Sequence, residues 1–189
     1  MCSRIPAIYS DWLIFQVELL LASPLTRAIQ TCEITFAPEL ERGLVIIAVP
    51  HAEEASDNPS DTGRDIEILR KEFPTQVDFN HVKHGWELHD GEFAVDRDHL
   101  TTRARKLRRW VRGRPEKEVV LVSHGFFNHY LTGDVNDKGE QTTGWWRETE
   151  LRTYFFLDGD DDALIKETED SIKQRKAEED QEKMKSSQA

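Results

Sequence analysis

Val17-Glu18-Leu19-Leu20-Leu21-Ala22-Ser23-Pro24-Leu25-Thr26-Arg27 reads as strand, turn and helix. The apolar run stops at Ser23-Pro24, a pair that favours a helix start because serine caps free N–H groups and proline is pre-shaped for the first turn. The spacing of Leu25, Ile29 and Cys32 predicts a helix from Pro24 to about Phe36, with Pro38 marking its end. Leu44 to Val49 lies between Gly43 and Pro50 and reads as a buried strand. A polar loop over residues 51–63 leads to a short helix from Arg64 to about Phe73, and residues 75–97 read as irregular. From Asp98 to Arg112 the stripe Leu100, Ala104, Leu107 and Val111 predicts a surface helix whose other face carries arginines and Lys106.

Val119-Val120-Leu121-Val122 is an uninterrupted apolar run, the pattern of a strand covered on both faces, and it ends on Ser123-His124-Gly125. A helix is expected over Phe126 to Thr132 and a last strand over Leu151 to Leu157. Strands alternating with helices predict an α/β fold with a largely parallel sheet. One domain is expected over residues 17–163, preceded by a non-matching segment 1–16 and followed by a charged helical or disordered tail, 164–189.

The balance of charge narrows the partners. A formal charge of −11 and a pI near 5.1 oppose the basic footprint that nucleic acid or anionic lipid requires, so a small soluble partner is expected and no nucleic acid. The longest apolar stretch, Trp12 to Ala22, is interrupted by Gln16 and Glu18 and falls short of the roughly 20 residues of a membrane helix. With Cys2 and Cys32 as the only cysteines there is no disulfide framework, and a reducing, cytoplasmic setting is expected. Neither cofactor nor metal is expected: His51, His81, His89 and His99 show no ligand spacing.

Two strand-to-helix turns carry the chemistry. In open α/β sheets the ligand crevice lies beyond the carboxyl ends of the strands, where both turns belong. Free N–H groups at a helix start favour an anion, Arg27 can hold phosphate oxygens bidentately, and His124 can donate a hydrogen bond or a proton. Taken singly, Arg27 reads as a solvated helix residue and His124 as a turn residue. Their shared placement points to a phosphate site.

The stretch Leu20 to Thr31 resembles the second motif of the histidine phosphatase superfamily, and Val120 to Gly125 resembles its last. Further residues are similar to the phosphoglycerate-mutase-like branch found in fungi: Glu54 to Gly63, Gly85-Trp86, Leu107 to Trp110, Tyr130 to Thr132, Thr143-Gly144-Trp145 and Arg152. The resemblance covers about Val17 to Asp170. It implies a three-layer α/β/α phosphoglycerate-mutase-like fold and hydrolysis of a small phosphorylated metabolite through a phosphohistidine. By the same resemblance Arg27 would bind the phosphoryl group, His124 would stabilise it in the transition state, and Glu54 would be the general acid. Glu53, Asp57 and Asp61 beside Glu54 are expected to help it hold a proton.

The resemblance departs at the start. Family members open with an apolar strand leading to Arg-His-Gly, whose histidine attacks phosphorus, whereas residues 1–16 contain Arg4 and no histidine. An N-terminally truncated fold is therefore expected, completed by residues 12–15, by a partner, or by sequence outside an incomplete gene model. Lys83-His84-Gly85 has no apolar strand before it, and Leu157-Asp158-Gly159-Asp160 reads as a turn. Three expectations stand: a phosphatase with impaired turnover, a non-catalytic phosphate-ligand binder or regulatory protein, or a product that does not fold alone.

Overall fold

The computed structural model describes residues 16–159 and 161–186. Residues 12–15, one of the expected sources of a substitute strand, lie with the rest of 1–15 outside the described residues. Four parallel strands form the central sheet: β1 (Leu19–Ala22), β2 (Ile46–Ala48), β3 (Val77–Asp78) and β4 (Val119–Val122), in the order β3-β2-β1-β4. Strand alternation splits the core into two. Leu20 and Ala22 pack with Ile29 and Cys32 of α1 (Thr26–Thr35) and with Ile66 and Leu69 of α3 (Ile66–Glu72). Leu19 and Leu21 pack on the opposite face with Leu100, Ala104 and Leu107 of α4 (Arg97–Arg112) and with Phe127 and Tyr130 of α5 (Gly125–Thr132). The short α2 (Ala37–Glu41) follows α1. A parallel sheet with helices on both faces is the expected α/β/α arrangement.

Several local expectations are corrected. Helix α1 begins at Thr26 because Leu25 is extended, and Ser23 does not cap it: its Oγ accepts from the Leu25 N–H at 3.3 Å. The irregular stretch after Pro74 contains β3, whose two residues pair with Ile46 and Ile47. Every residue of β4 is half-buried rather than buried, while every residue of β1 is buried. On the supposedly solvated face of α4, Arg103 and Arg108 are buried. Arg108 hydrogen-bonds the carbonyls of Leu131 at 3.0 Å and Ala163 at 3.1 Å, so it satisfies acceptors at the end of α5 and in the turn after the next strand.

The last expected strand is shorter, β5 (Tyr154–Phe156), and pairs antiparallel with β6 (Ile165–Glu167), a strand inside the segment read as tail. Polar contacts tie α6 (Glu169–Ser186) to that hairpin: buried Ser171 donates to Glu167 at 2.8 Å and accepts from Thr153 at 3.1 Å, and Arg175 pairs with Glu167 at 3.0 Å. Helix therefore forms there without an apolar stripe.

Gly63 and Trp86 make one close contact. Trp86 is buried, its indole N–H donates to the Arg64 carbonyl at 3.2 Å, and a Cβ on Gly63 would stand 2.2 Å from the ring. Gly63→Ala is expected to destabilise the fold by about 1–3 kcal/mol, the usual range for overpacking. Chemical denaturation of the variant measures this, and an unchanged midpoint would show that the ring has room to move.

Candidate active site

Pairing of β1 with β4 runs in register from Leu19↔Val119 to Ala22↔Val122, so the two strands end at the same level. The Ser23 N–H continues the ladder to the Val122 carbonyl at 2.9 Å. Arg27 on the first turn of α1 and His124 at the start of α5 thereby meet, with Arg27 Nη2 3.1 Å from His124 Nδ1. The Ser123 hydroxyl donates to the Ala52 carbonyl at 2.8 Å and draws the turn after β2 to the same edge. That turn delivers Glu54, whose Oε1 accepts the Phe127 N–H at 2.9 Å and its neighbour's, Ala55, at 2.8 Å. Arg27 and His124 are brought together, and Glu54 is anchored to the helix that His124 starts, its carboxylate sitting on the N-terminus of α5 where free N–H groups and the helix dipole favour negative charge.

An arginine only donates hydrogen bonds, so His124 Nδ1 is the acceptor and the ring proton is assigned to Nε2. That Nε2 is buried and has no protein partner among the described residues. Burial, and then the Arg27 charge, push the His124 pKa down to about 3, leaving a neutral ring that presents one N–H. Such a donor suits a phosphoryl oxygen.

Arg27 is also held from a side that sequence reasoning did not assign. Nη1 donates to the Ser60 carbonyl at 2.6 Å and Nη2 to Asp61 Oδ1 at 2.7 Å. The other Asp61 oxygen accepts from the Ser56 hydroxyl at 2.6 Å, and Asp61 N–H donates to the Asn58 carbonyl at 2.8 Å, so the loop is held by internal hydrogen bonds while Asp57, Asn58, Pro59, Ser60 and Thr62 stay exposed. The run of Asn, Pro, Ser, Asp and Gly was its signal.

Glu53, next to the expected acid, is fully buried and its Oε1 lies 3.0 Å from His89 Nε2. Burial pushes the Glu53 pKa up to about 8, against the pull of the Arg103 charge. Arg103 donates from Nη2 to the Glu53 and Glu54 carbonyls at 2.8 and 3.1 Å, and its guanidinium lies 4.5 Å from the centre of the Phe127 ring. Its signal was position: three residues after Leu100 and four before Leu107, it borders the apolar stripe and does not lie opposite it. His84 is exposed beside Asp65 and Glu67, outside this cluster. Among the described residues no group of three or more His, Cys, Asp or Glu is placed to hold a metal ion, and no helix is long and apolar enough to cross a membrane.

Two consequences are measurable. Asp61 competes with an incoming anion for Arg27, so Asp61→Asn is expected to tighten inorganic phosphate binding roughly 3- to 10-fold, less at high salt; calorimetry at two ionic strengths checks both. Because the His124 pKa is lowered on folding from 6.5 to about 3, its contribution to stability is intact above 6.5 and is lost progressively as pH falls toward 3. His124→Gln should flatten the acid limb of a stability-versus-pH curve in that window, and an unchanged limb would mean that other groups dominate it.

The family model described as histidine phosphatase superfamily (branch 1) matches residues 10–162 of the 189, a span that contains both strand-to-helix turns and the loop between them. No individual curated protein matches the sequence. With Arg27 and His124 joined at the ends of adjacent parallel strands inside that span, the chain belongs to the histidine phosphatase superfamily.

Proposed function

We propose that the chain binds the phosphoryl group of a small phosphorylated metabolite at Arg27 and His124, the site of a phosphoglycerate-mutase-like phosphatase of the kind found in fungi. The observation that carries this reading is the 3.1 Å contact between Arg27 and His124 with the buried His124 Nε2 left unpartnered. Arg27 supplies the charge, His124 Nε2–H a hydrogen bond to a phosphoryl oxygen, and the N-terminus of α5 further positive potential. Glu54 Oε1 is committed to two backbone donors that favour the carboxylate, so the general-acid role requires Oε2 to take up a proton beside the bound phosphoryl group.

Turnover by this chain is proposed to be impaired. In the family the covalent step uses a histidine from Arg-His-Gly, and none of the seven histidines of this sequence follows an arginine. The other six have contacts of their own: His51 with Glu92, His81 with Trp110, His84 with Asp65, His89 with Glu53, His99 with Asp96 and His129 with Thr143. The same facts support a second reading, a non-catalytic binder of phosphorylated ligands.

Calorimetry with inorganic phosphate tests the site. Arg27→Ala should lower affinity at least ten-fold while the protein stays folded by circular dichroism; undiminished affinity would remove Arg27 from the site. Hydrolysis of an aryl phosphate separates the two readings. Turnover that disappears in His124→Ala supports a phosphatase and requires a nucleophile at another position, whereas binding without turnover supports the non-catalytic binder.

A further inference from the structure

Behind the phosphate site lies a buried polar cluster to which the reading above gives no part. Glu53 and Arg103 have fully buried side chains, with Arg103 Nη1 3.9 Å from Glu53 Oε2. Three of the atoms facing this gap, Glu53 Oε2 and Arg103 Nε and Nη1, have no hydrogen-bond partner among the described residues, and neither has the buried Glu87 Oε2. Leaving such groups unpaired is costly, so a purely structural role would favour an apolar filling. His89 reaches Glu53 from a left-handed backbone, φ 51°, which residues bearing a Cβ seldom adopt.

The cluster is wired to the site through one guanidinium. Arg103 Nη2 holds the carbonyls of both Glu53 and Glu54, and the same guanidinium packs on the ring of Phe127, whose N–H holds the Glu54 carboxylate. Both ends of the Glu54 side chain's support therefore rest on Arg103. We propose that Glu53, His89 and Arg103 form a positioning unit of the phosphate site: they fix the turn that presents Glu54, and the charge on Glu53 sets anion affinity at Arg27 and His124. The inference rests on the phosphate-site reading.

The sign follows from the groups around Glu53. Arg103 and Arg27 lower its pKa, but burial, reinforced by Glu87 and Asp61, outweighs them and pushes it up to about 8, so Glu53 is mainly neutral at pH 7. His89 and His124 titrate below their ordinary 6.5, and Arg103 above the window at about 10. While Glu53 is neutral, the Arg103 charge adds to the positive field behind the phosphate site. Once Glu53 ionises, that field is cancelled and anion affinity falls.

Calorimetry with sulfate, a dianion of constant charge from pH 6 to 9.5, reads this out on wild type, Glu53→Gln and Arg27→Ala. Wild-type affinity is expected to fall roughly 5- to 20-fold through a midpoint near 8. Glu53→Gln, neutral at every pH, should show a flat profile at the wild-type neutral-pH affinity. Coincident profiles for wild type and Glu53→Gln overturn the positioning unit and leave the phosphate site standing. Absence of wild-type sulfate binding at pH 7, or binding unaffected by Arg27→Ala, overturns the phosphate site and this inference with it. If Glu53→Gln does not fold, His89→Gln serves instead: loss of the imidazole partner should move the midpoint, and an unmoved midpoint overturns the proposal.

Discussion

The register between β1 and β4 is the constraint on which the site depends. Two parallel strands distant in sequence are paired residue for residue from Leu19↔Val119 to Ala22↔Val122, and the helices that follow must start at one level. A shift of one residue would turn each side chain of one strand to the opposite face and carry His124 away from Arg27. The buried alternation of Leu19, Leu20, Leu21 and Ala22 between two clusters resists that shift, because each residue would exchange a packed apolar environment for one shaped for its neighbour. Apolar packing thus supplies the accuracy that a 3.1 Å polar contact needs.

Once that edge is set, the remaining parts attach to it by polar contacts. Ser123 draws in the turn after β2 through the Ala52 carbonyl, and Ser60 and Asp61 close on Arg27 from the loop beyond. The result is a partly exposed cation beside a compact acidic loop in a chain of net charge −11. An exposed pair such as Arg27 with Asp61 contributes little to stability, on the order of 0–1 kcal/mol, so it can be exchanged for a ligand at small cost. Arg103 differs: stacked on Phe127 and bound to two carbonyls, it cannot leave without stranding buried acceptors.

Much of this was legible because the informative signals are local. Ser23-Pro24 and Ser123-His124-Gly125 announce two strand-to-helix turns, and apolar runs before them announce strands, so Arg27 and His124 could be named from sequence. Glu54 came from the resemblance, and the structure seats it on α5. What sequence concealed depends on distant partners. The burial of Arg103 is set by Phe127 and by carbonyls some fifty residues earlier. β3 is two residues long and exists only through its pairing with β2. β6 lacks an apolar alternation because its hairpin is completed by ionic contacts with α6. Gly63 and Trp86 could be recognised as motifs, but that they touch could not be read from either.

The hydrogen bond that assembles the site also limits its chemistry. Because Arg27 occupies the His124 Nδ1 lone pair, the neutral ring keeps its proton on Nε2, which has no partner among the described residues. An N–H is a donor and not a nucleophile, so His124 can stabilise charge on a phosphoryl oxygen but cannot attack phosphorus without first losing Arg27 or that proton. Either loss works against catalysis: release of Arg27 removes the proposed phosphate ligand, and deprotonation of a neutral imidazole lies far outside physiological pH. Under the proposed function, any phosphohistidine would form on a ring other than that of His124. The contact that sets the His124 tautomer thus leaves the proposed site with a fixed N–H donor beside a partly exposed cation, an arrangement for stabilising negative charge.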